Sequence, residues 1–126
     1  MVRLNLDGAF DLMRGRADAF IALPALLFRR NVEELASLAR ANRLPGIFWP
    51  AEFAEAGGFL AYGPNFSEVN RRLAFFVDRL LKGAKPSELP VEPARRFELT
   101  VNLRTANALG ISVAPSVLAW ADRVIR

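Results

Sequence analysis

The chain contains no cysteine and no histidine. Without thiols there is no disulfide, no thiolate nucleophile and no thiolate zinc site. Without imidazole, the side chain best matched to acid–base work near neutral pH is gone. The lack of cysteine leaves the redox compartment open, since periplasmic and cytosolic proteins can both do without it. Lysine is scarce as well, with Lys82 and Lys85 set against fifteen arginines in a total of 17 basic residues. No run reaches the roughly 18 uninterrupted apolar residues of a membrane-spanning helix. The longest candidates, Ala17 to Phe28 and Leu73 to Leu81, are too short or too charged. The opening segment MVRLNLDGAFDLMRG carries acids and lacks an apolar core of about seven residues, so it does not read as a signal peptide. No lipoprotein cysteine exists either.

What is present is one domain's worth of chain, 126 residues, with 52% apolar side chains and a mean hydropathy of +0.18. That is enough to build a core, and it leaves apolar surface to be covered by a partner, an oligomer or a further part of the fold. The net charge is +4. Arginine pairs at Arg29-Arg30, Arg71-Arg72 and Arg95-Arg96 are spread along the chain, with Glu33, Glu34, Glu68, Asp78 and Glu98 close by. This mixture describes an ion-paired surface and gives no support to nucleic-acid binding, which favours one clustered basic face.

Apolar spacing predicts a first helix on Leu4, Leu6, Phe10 and Met13, with Asp7 in its first turn and Gly15 as its stop. Ala17 to Leu23 reads as a buried strand ended by Pro24. Asn31 to Ala41 is an amphipathic helix with room to start near Leu26. Gly46 to Trp49 is a second strand, stopped by Pro50, and Ala51 to Ala56 a short helix closed by Gly57-Gly58 in left-handed conformations. Phe59 to Tyr62 is a third strand. Asn65 or Ser67 caps the longest helix, which runs to about Lys82 with Glu68–Arg72 and Asp78–Lys82 pairs. Its Ala74, Phe75, Phe76 and Val77 are apolar on every side, which predicts cover from more than one direction.

Pro86, Pro90 and Pro93 make 83–96 an extended connection. Phe97, Leu99 and Val101 alternate with Glu98 and Thr100 as a strand with one wet face. Asn102 caps a helix ending at Gly110, and a last helix from Pro115 or Ser116 carries Val117, Leu118, Ala121, Val124 and Ile125, with Trp120 as packing. Strands alternating with helices predict an α/β layered fold with a mainly parallel, short-stranded sheet flanked by helices.

Few motifs carry chemistry. Gly57, Gly58 and Gly63 do not have phosphate-loop spacing. Glu52 and Glu55 are i,i+3 neighbours on a short exposed helix, and no nucleophile–base pair can be drawn, so the chain reads as a non-enzyme with no cofactor and no metal. Ligands of parallel α/β sheets sit beyond the carboxyl ends of the strands. Those ends are Pro24-Ala25, Trp49-Pro50 and Tyr62-Gly63. Trp49 and Tyr62 each offer a flat face with one polar handle, useful for an organic ligand, or alternatively for completing the core.

Several words in fixed order carry a resemblance: Leu23-Pro24, Leu44-Pro45, Glu52-Phe53, Gly57-Gly58, Tyr62-Gly63, Leu81 to Pro86, Leu89 to Glu92, Phe97 to Leu99 and Asn102 to Gly110. Together they resemble the C-terminal part of one family of ABC-transporter substrate-binding proteins of the two-lobed periplasmic type. The match runs over nearly the whole chain. The family's Asp-Pro after Leu23-Pro24 is replaced here by Ala25-Leu26, which removes a polar group from a strand end.

The resemblance implies a small organic solute, amino-acid-like in some relatives, trapped between two α/β lobes. It would be delivered to a membrane permease driven by an ATPase subunit. It also implies a periplasmic location, whereas the residues present carry no export address and predict the cytoplasm for the chain as written. The expected ligand-binding residues are Pro24, Ala25, Trp49, Glu52, Tyr62 and Gly63. A hinge is expected near 62–65, with 97–126 forming a C-terminal strand and helices. The expectation is a truncated solute-binding protein lacking its N-terminal lobe. The alternatives are a standalone α/β module that self-associates, to be separated by light scattering, and a cytosolic small-molecule sensor binding between Trp49 and Tyr62.

Overall fold

Asn5 opens the first helix by accepting a hydrogen bond from the Gly8 amide at 2.9 Å, satisfying one of the donors that a helix start leaves over. The computed structural model describes residues 5–126. Leu4, expected on the apolar face of this helix, lies outside them. Helix α1 spans Leu6–Met13 and buries Leu6 and Phe10. The amide of Ala17 still donates to the Met13 carbonyl. Strand β1 is therefore confined to Phe20–Ile21, shorter than the 17–23 expected. Helices α2 (Leu26–Arg30) and α3 (Val32–Ala41) follow, separated at Asn31, whose side chain donates to the Leu27 carbonyl. Strand β2 (Gly46–Phe48), helix α4 (Ala51–Glu55) and strand β3 (Leu60–Pro64) come next.

Helix α5 (Phe66–Leu81) begins at Asn65, which accepts from the Glu68 amide at 2.8 Å. A 3-10 turn at Pro86–Glu88 lies in the proline-rich stretch. Strand β4 (Phe97–Asn102) then runs into helix α6 (Leu103–Leu109), where the Asn102 side chain caps the Thr105 amide and Gly110 closes the helix at φ 75°. Helix α7 (Pro115–Trp120) and strand β5 (Arg123–Ile125) complete the order.

The sheet has five strands in the order β1-β2-β3-β4-β5. The pairs β1/β2, β2/β3 and β4/β5 are parallel. Between β3 and β4 the flanking backbone bonds are Asn102 N–H to Phe59 C=O and Asn65 N–H to Arg96 C=O. One partner rises as the other falls, the pattern of antiparallel pairing. The fold is thus α/β with a mainly parallel sheet, as the alternation of elements predicts.

Three expectations are corrected. The last helix stops at Trp120: Ala121 turns extended and the Asp122 amide donates to the Leu99 carbonyl. Val124 and Ile125 therefore lie in a strand beside Val101 and Asn102, where β-branched side chains fit well. Trp120, expected to pack, is 84% exposed. Gly57 is left-handed at φ 99°, whereas Gly58 is needed for space, because a Cβ there would enter the Phe53 ring.

By its contacts the chain divides into two units, residues 1–63 with 98–126 and residues 64–97. In unit 1, α3 packs against α1, α2 and α4. Its main core is formed by Leu6, Phe10, Ala22, Leu35, Ala36, Ala39, Leu44, Phe48 and Phe53. Edge-to-face rings run through it from Phe10 to Phe20, Phe53, Phe48 and finally Trp49, with centroids 5.4–6.4 Å apart. In unit 2, α5 has no buried residue. The predicted cover around Phe75 and Val77 is not present among the described residues, and these side chains are 42% and 54% exposed.

Candidate functional site

Parallel pairing sends β1, β2 and β3 in one direction, so their carboxyl ends share one edge of the sheet. Pro24 and Ala25 stand at the end of β1, Pro24 exposed and Ala25 half-buried at the start of α2. Trp49 follows β2 directly. The last ring of the aromatic row, it leans on Phe48 at 5.8 Å and is partly buried against the core. Glu52 sits in the first turn of α4, just beyond.

Gly63 approaches from β3. A Cβ at this position would collide with the Trp49 carbonyl oxygen, so only glycine permits this contact between the ends of β2 and β3. Tyr62 is 52% exposed and alternates with the buried Ala61 and Gly63, which places it on the other face of β3.

The residue that ties the edge together is Arg29, on α2. Its guanidinium lies over the Trp49 ring, 5.3 Å from the centroid, and pairs with Glu52 at 3.5 Å. The result is an aromatic face covered by a cation that is itself paired with an anion, with Arg29 and Glu52 each about half-exposed. Such a group can hold an organic solute by stacking and paired charge. The structure brings Trp49, Glu52 and Gly63 into one cluster; Tyr62 is placed at the same edge by its position in β3, and Pro24 and Ala25 by the turn that leads from β1 into α2. Sequence reasoning treated Arg29 as ion-paired surface and missed its place in this cluster. The usable signal was its position one turn into the helix that follows a strand end.

Below the edge, a buried polar network fixes α4. Asn102 donates to the Ala54 carbonyl at 2.8 Å, and Thr105 donates to the Gly57 carbonyl at 2.9 Å. Glu55 is paired with Arg123 of β5.

Two cavities lie elsewhere. One of about 230 Å³, lined by Phe10, Arg14, Asp18 and Arg43 among others, sits ahead of the starts of β1 and β2. Another of about 410 Å³ lies in unit 2, between α5 and residues 92–96. There Arg72 forks onto Glu92 with bonds of 2.6 and 2.5 Å and stacks over Phe75 at 4.1 Å. This replaces the expected Glu68–Arg72 pair. The pairing, chiefly the hydrogen bond and then the charge, holds the Glu92 carboxyl below the usual carboxylate range, against a smaller opposing effect of burial. Although the larger of the two, this cavity contains none of the expected residues, and its Glu92 is already answered by Arg72 and Arg95. The strand ends are the better candidate, because their aromatic face and opposite charges converge where parallel sheets place ligands.

Among the described residues no group of three or more acidic side chains could hold a metal, and no helix is long and apolar enough to cross a membrane.

The sequence matches the family described as ABC transporter substrate binding protein over residues 4–125. No match is found among curated proteins. Solved structures with the same fold include a conserved domain protein from Vibrio cholerae, with TM-score 0.87 and 23% identity over 95% of this chain and 40% of that one. A second, the ABC domain from Streptococcus pneumonia in complex with L-Trp, has TM-score 0.84 and 23% identity over 94% of this chain and 41% of that one. A third is the ligand-free, open structure of a substrate binding protein with adhesive properties from Clostridium difficile. It has TM-score 0.67 and 18% identity, over 95% of this chain and 40% of that chain. The chain thus spans about 40% of the length of the solved structures it matches.

Proposed function

The chain belongs to the ABC transporter substrate-binding protein family, and on that premise we propose that it supplies one wall of a solute-binding cleft and does no chemistry on what it holds. The solute is a small organic molecule of amino-acid type. The observation that carries this reading is the Trp49–Arg29–Glu52 cluster at the carboxyl ends of the parallel strands. The L-Trp bound in the Streptococcus structure supports it. Pro24, Ala25, Trp49, Glu52, Tyr62 and Gly63 form the proposed contact set. The solute would pass to a membrane permease and its ATPase, and the place of work would be the periplasm.

The chain leaves unit 1 after Gly63 and returns at Glu98. We place the hinge of the proposed two-lobed protein at 62–65, with 64–97 belonging to the second lobe. Closure would then depend on a ligand that stabilises the closed state over the open one.

The test is a two-dimensional amide NMR titration of this chain with L-Trp, up to millimolar concentration. Saturable shifts centred on Ala25, Trp49, Glu52 and Gly63 are expected. Shifts confined to the 92–96 cavity would move the site to unit 2. The absence of saturable shifts with any of the common amino acids would remove the solute-binding reading.

A further inference from the structure

Unit 2 holds a cavity of its own, about 410 Å³, between α5 and residues 92–96. That volume lies in the range of small-molecule sites. Val69, Leu73, Phe75, Pro93 and Ala94 give it apolar walls. It is also lined by the guanidiniums of Arg71, Arg72, Arg95 and Arg96, which outnumber the carboxylates of Glu68 and Glu92. An apolar hollow with excess positive charge suits an anion, because low-dielectric walls concentrate the field of the charges they carry.

The cations differ in how far they are already engaged. Arg72 is fixed: it forks onto Glu92 and lies over the Phe75 and Phe76 rings at 4.1 and 5.1 Å. That fork takes up the largely buried Glu92 and keeps it ionised. Arg96 has contacts of its own. Arg95 reaches Glu92 only at 3.6 Å from an exposed position, a contact of the weak surface kind. Arg71 is exposed, and its side chain has no partner among the described residues. Two cations beside one apolar hollow are therefore open to a ligand.

We propose that this cavity is a second binding site, for an organic anion whose apolar body lies in the hollow and whose carboxylate or phosphate head is taken by Arg71 and Arg95. A guanidinium meets either head group with two parallel hydrogen bonds, so both belong to the class the site accepts. The site shares no residue with the strand-end cluster and lies wholly within 64–97. It does not depend on the solute-binding reading above. Glu68 gives the proposal a sign. Its carboxylate lines the same cavity and opposes an anion there, so removing that charge should strengthen binding. A hollow that acted only by apolar contact would not respond in that direction.

The experiment is an amide NMR titration of the chain, read at Val69, Arg71, Leu73, Ala94 and Arg95. The probes are 3-phenylpropionate, phenyl phosphate, phenethylamine and inorganic phosphate. Both organic anions should give saturable shifts at these amides, weakening as salt is added. Inorganic phosphate, which has nothing to bury, should bind roughly tenfold more weakly than phenyl phosphate. Phenethylamine should leave these amides where they are. Arg71→Gln and Arg95→Gln should each weaken the organic anions about three- to tenfold, and Glu68→Gln should strengthen them about twofold. The helical carbon shifts of α5 should be those of the parent in all three variants.

A response to only one of the two organic anions would keep the site and assign its head group. Equal shifts with phenethylamine would overturn the proposal, as would shifts that never saturate. So would parent affinity retained in either arginine variant, or weaker binding by Glu68→Gln. Organic anions that shift only Ala25, Trp49, Glu52 and Gly63 would remove this site and leave the solute-binding reading standing. Failure of L-Trp to bind at those four residues would remove that reading and leave this one untouched.

Discussion

Phe53 and Phe75 are the same side chain in opposite circumstances. In unit 1, Phe53 is 0% exposed and meets Phe20 and Phe48 edge to face. In unit 2, Phe75 is 42% exposed and has Arg72 over its ring. The contrast holds across each unit. Every buried residue of the described chain lies within 1–63 or 98–126, and none within 64–97. Yet α5 contains as many large apolar residues as α1 and α3 together, counting Phe66, Val69, Leu73, Phe75, Phe76, Val77, Leu80 and Leu81 against Leu6, Phe10, Leu12, Met13, Val32, Leu35 and Leu38 with one to spare. Apolar content does not make a core; a second layer does. Unit 1 has that layer because α1, α3 and α4 pack together against β1 and β2. In unit 2, α5 is held by its Asn65 cap, the ion pair to Glu92 and local pairs such as Asp78–Lys82.

The sharpest way to break the contrast is Phe53→Ala. Removing a fully enclosed ring should cost about 3–5 kcal/mol, close to the whole stability of a small unit. Chemical denaturation followed by circular dichroism should show the midpoint collapse. A loss under about 1 kcal/mol would mean that the core is not centred on this ring. Asn102→Ala should come next, at about 1–3 kcal/mol, because it leaves the Ala54 carbonyl and the Thr105 amide without the side chain that answers them. The same variant should broaden the amide signals of α4, since Asn102 and Thr105 fasten the backbone that follows Glu52. Unchanged α4 signals would show that the network serves stability alone.

Much of this was legible in the sequence, for physical reasons that differ from place to place. The caps at Asn65 and Asn102, the stop at Gly110 and the extents of β2 and α3 are local, and short-range chemistry decides them. β5 was not legible: Val117, Leu118, Ala121, Val124 and Ile125 satisfy helical spacing, and only the bond from the Asp122 amide to Leu99, distant in sequence, turns the end into a strand. Arg72 shows the same limit, since a helix neighbour at Glu68 loses to the fork with Glu92, twenty residues on. At the candidate site, Trp49, Glu52 and Gly63 could be named from strand ends. Arg29 was missed, because strand ends do not include it and it meets the Trp49 ring only once α2 sets it there.

The mildest effect is a titration confined to unit 2. Glu92 faces Arg72 and, at 3.6 Å, Arg95, and its carboxyl is held below its ordinary value chiefly by the Arg72 hydrogen bond. A group whose folded pKa is depressed contributes fully above the unfolded value, about 4.3 for a glutamate. The contribution fades as pH falls from there through the lower folded value. From neutrality down to about pH 5, α5 should therefore keep its helical carbon shifts. Below that, the residues around Arg72 should lose helicity while α3 and β2, held by apolar burial that does not titrate, stay as they were. Glu92→Gln removes the titrating group, so its α5 signals should show the weakened state at every pH, with no step. A step of the same size in α3 would mean that the two units answer to one equilibrium, and a step surviving in Glu92→Gln would show that Glu92 is not the group that titrates.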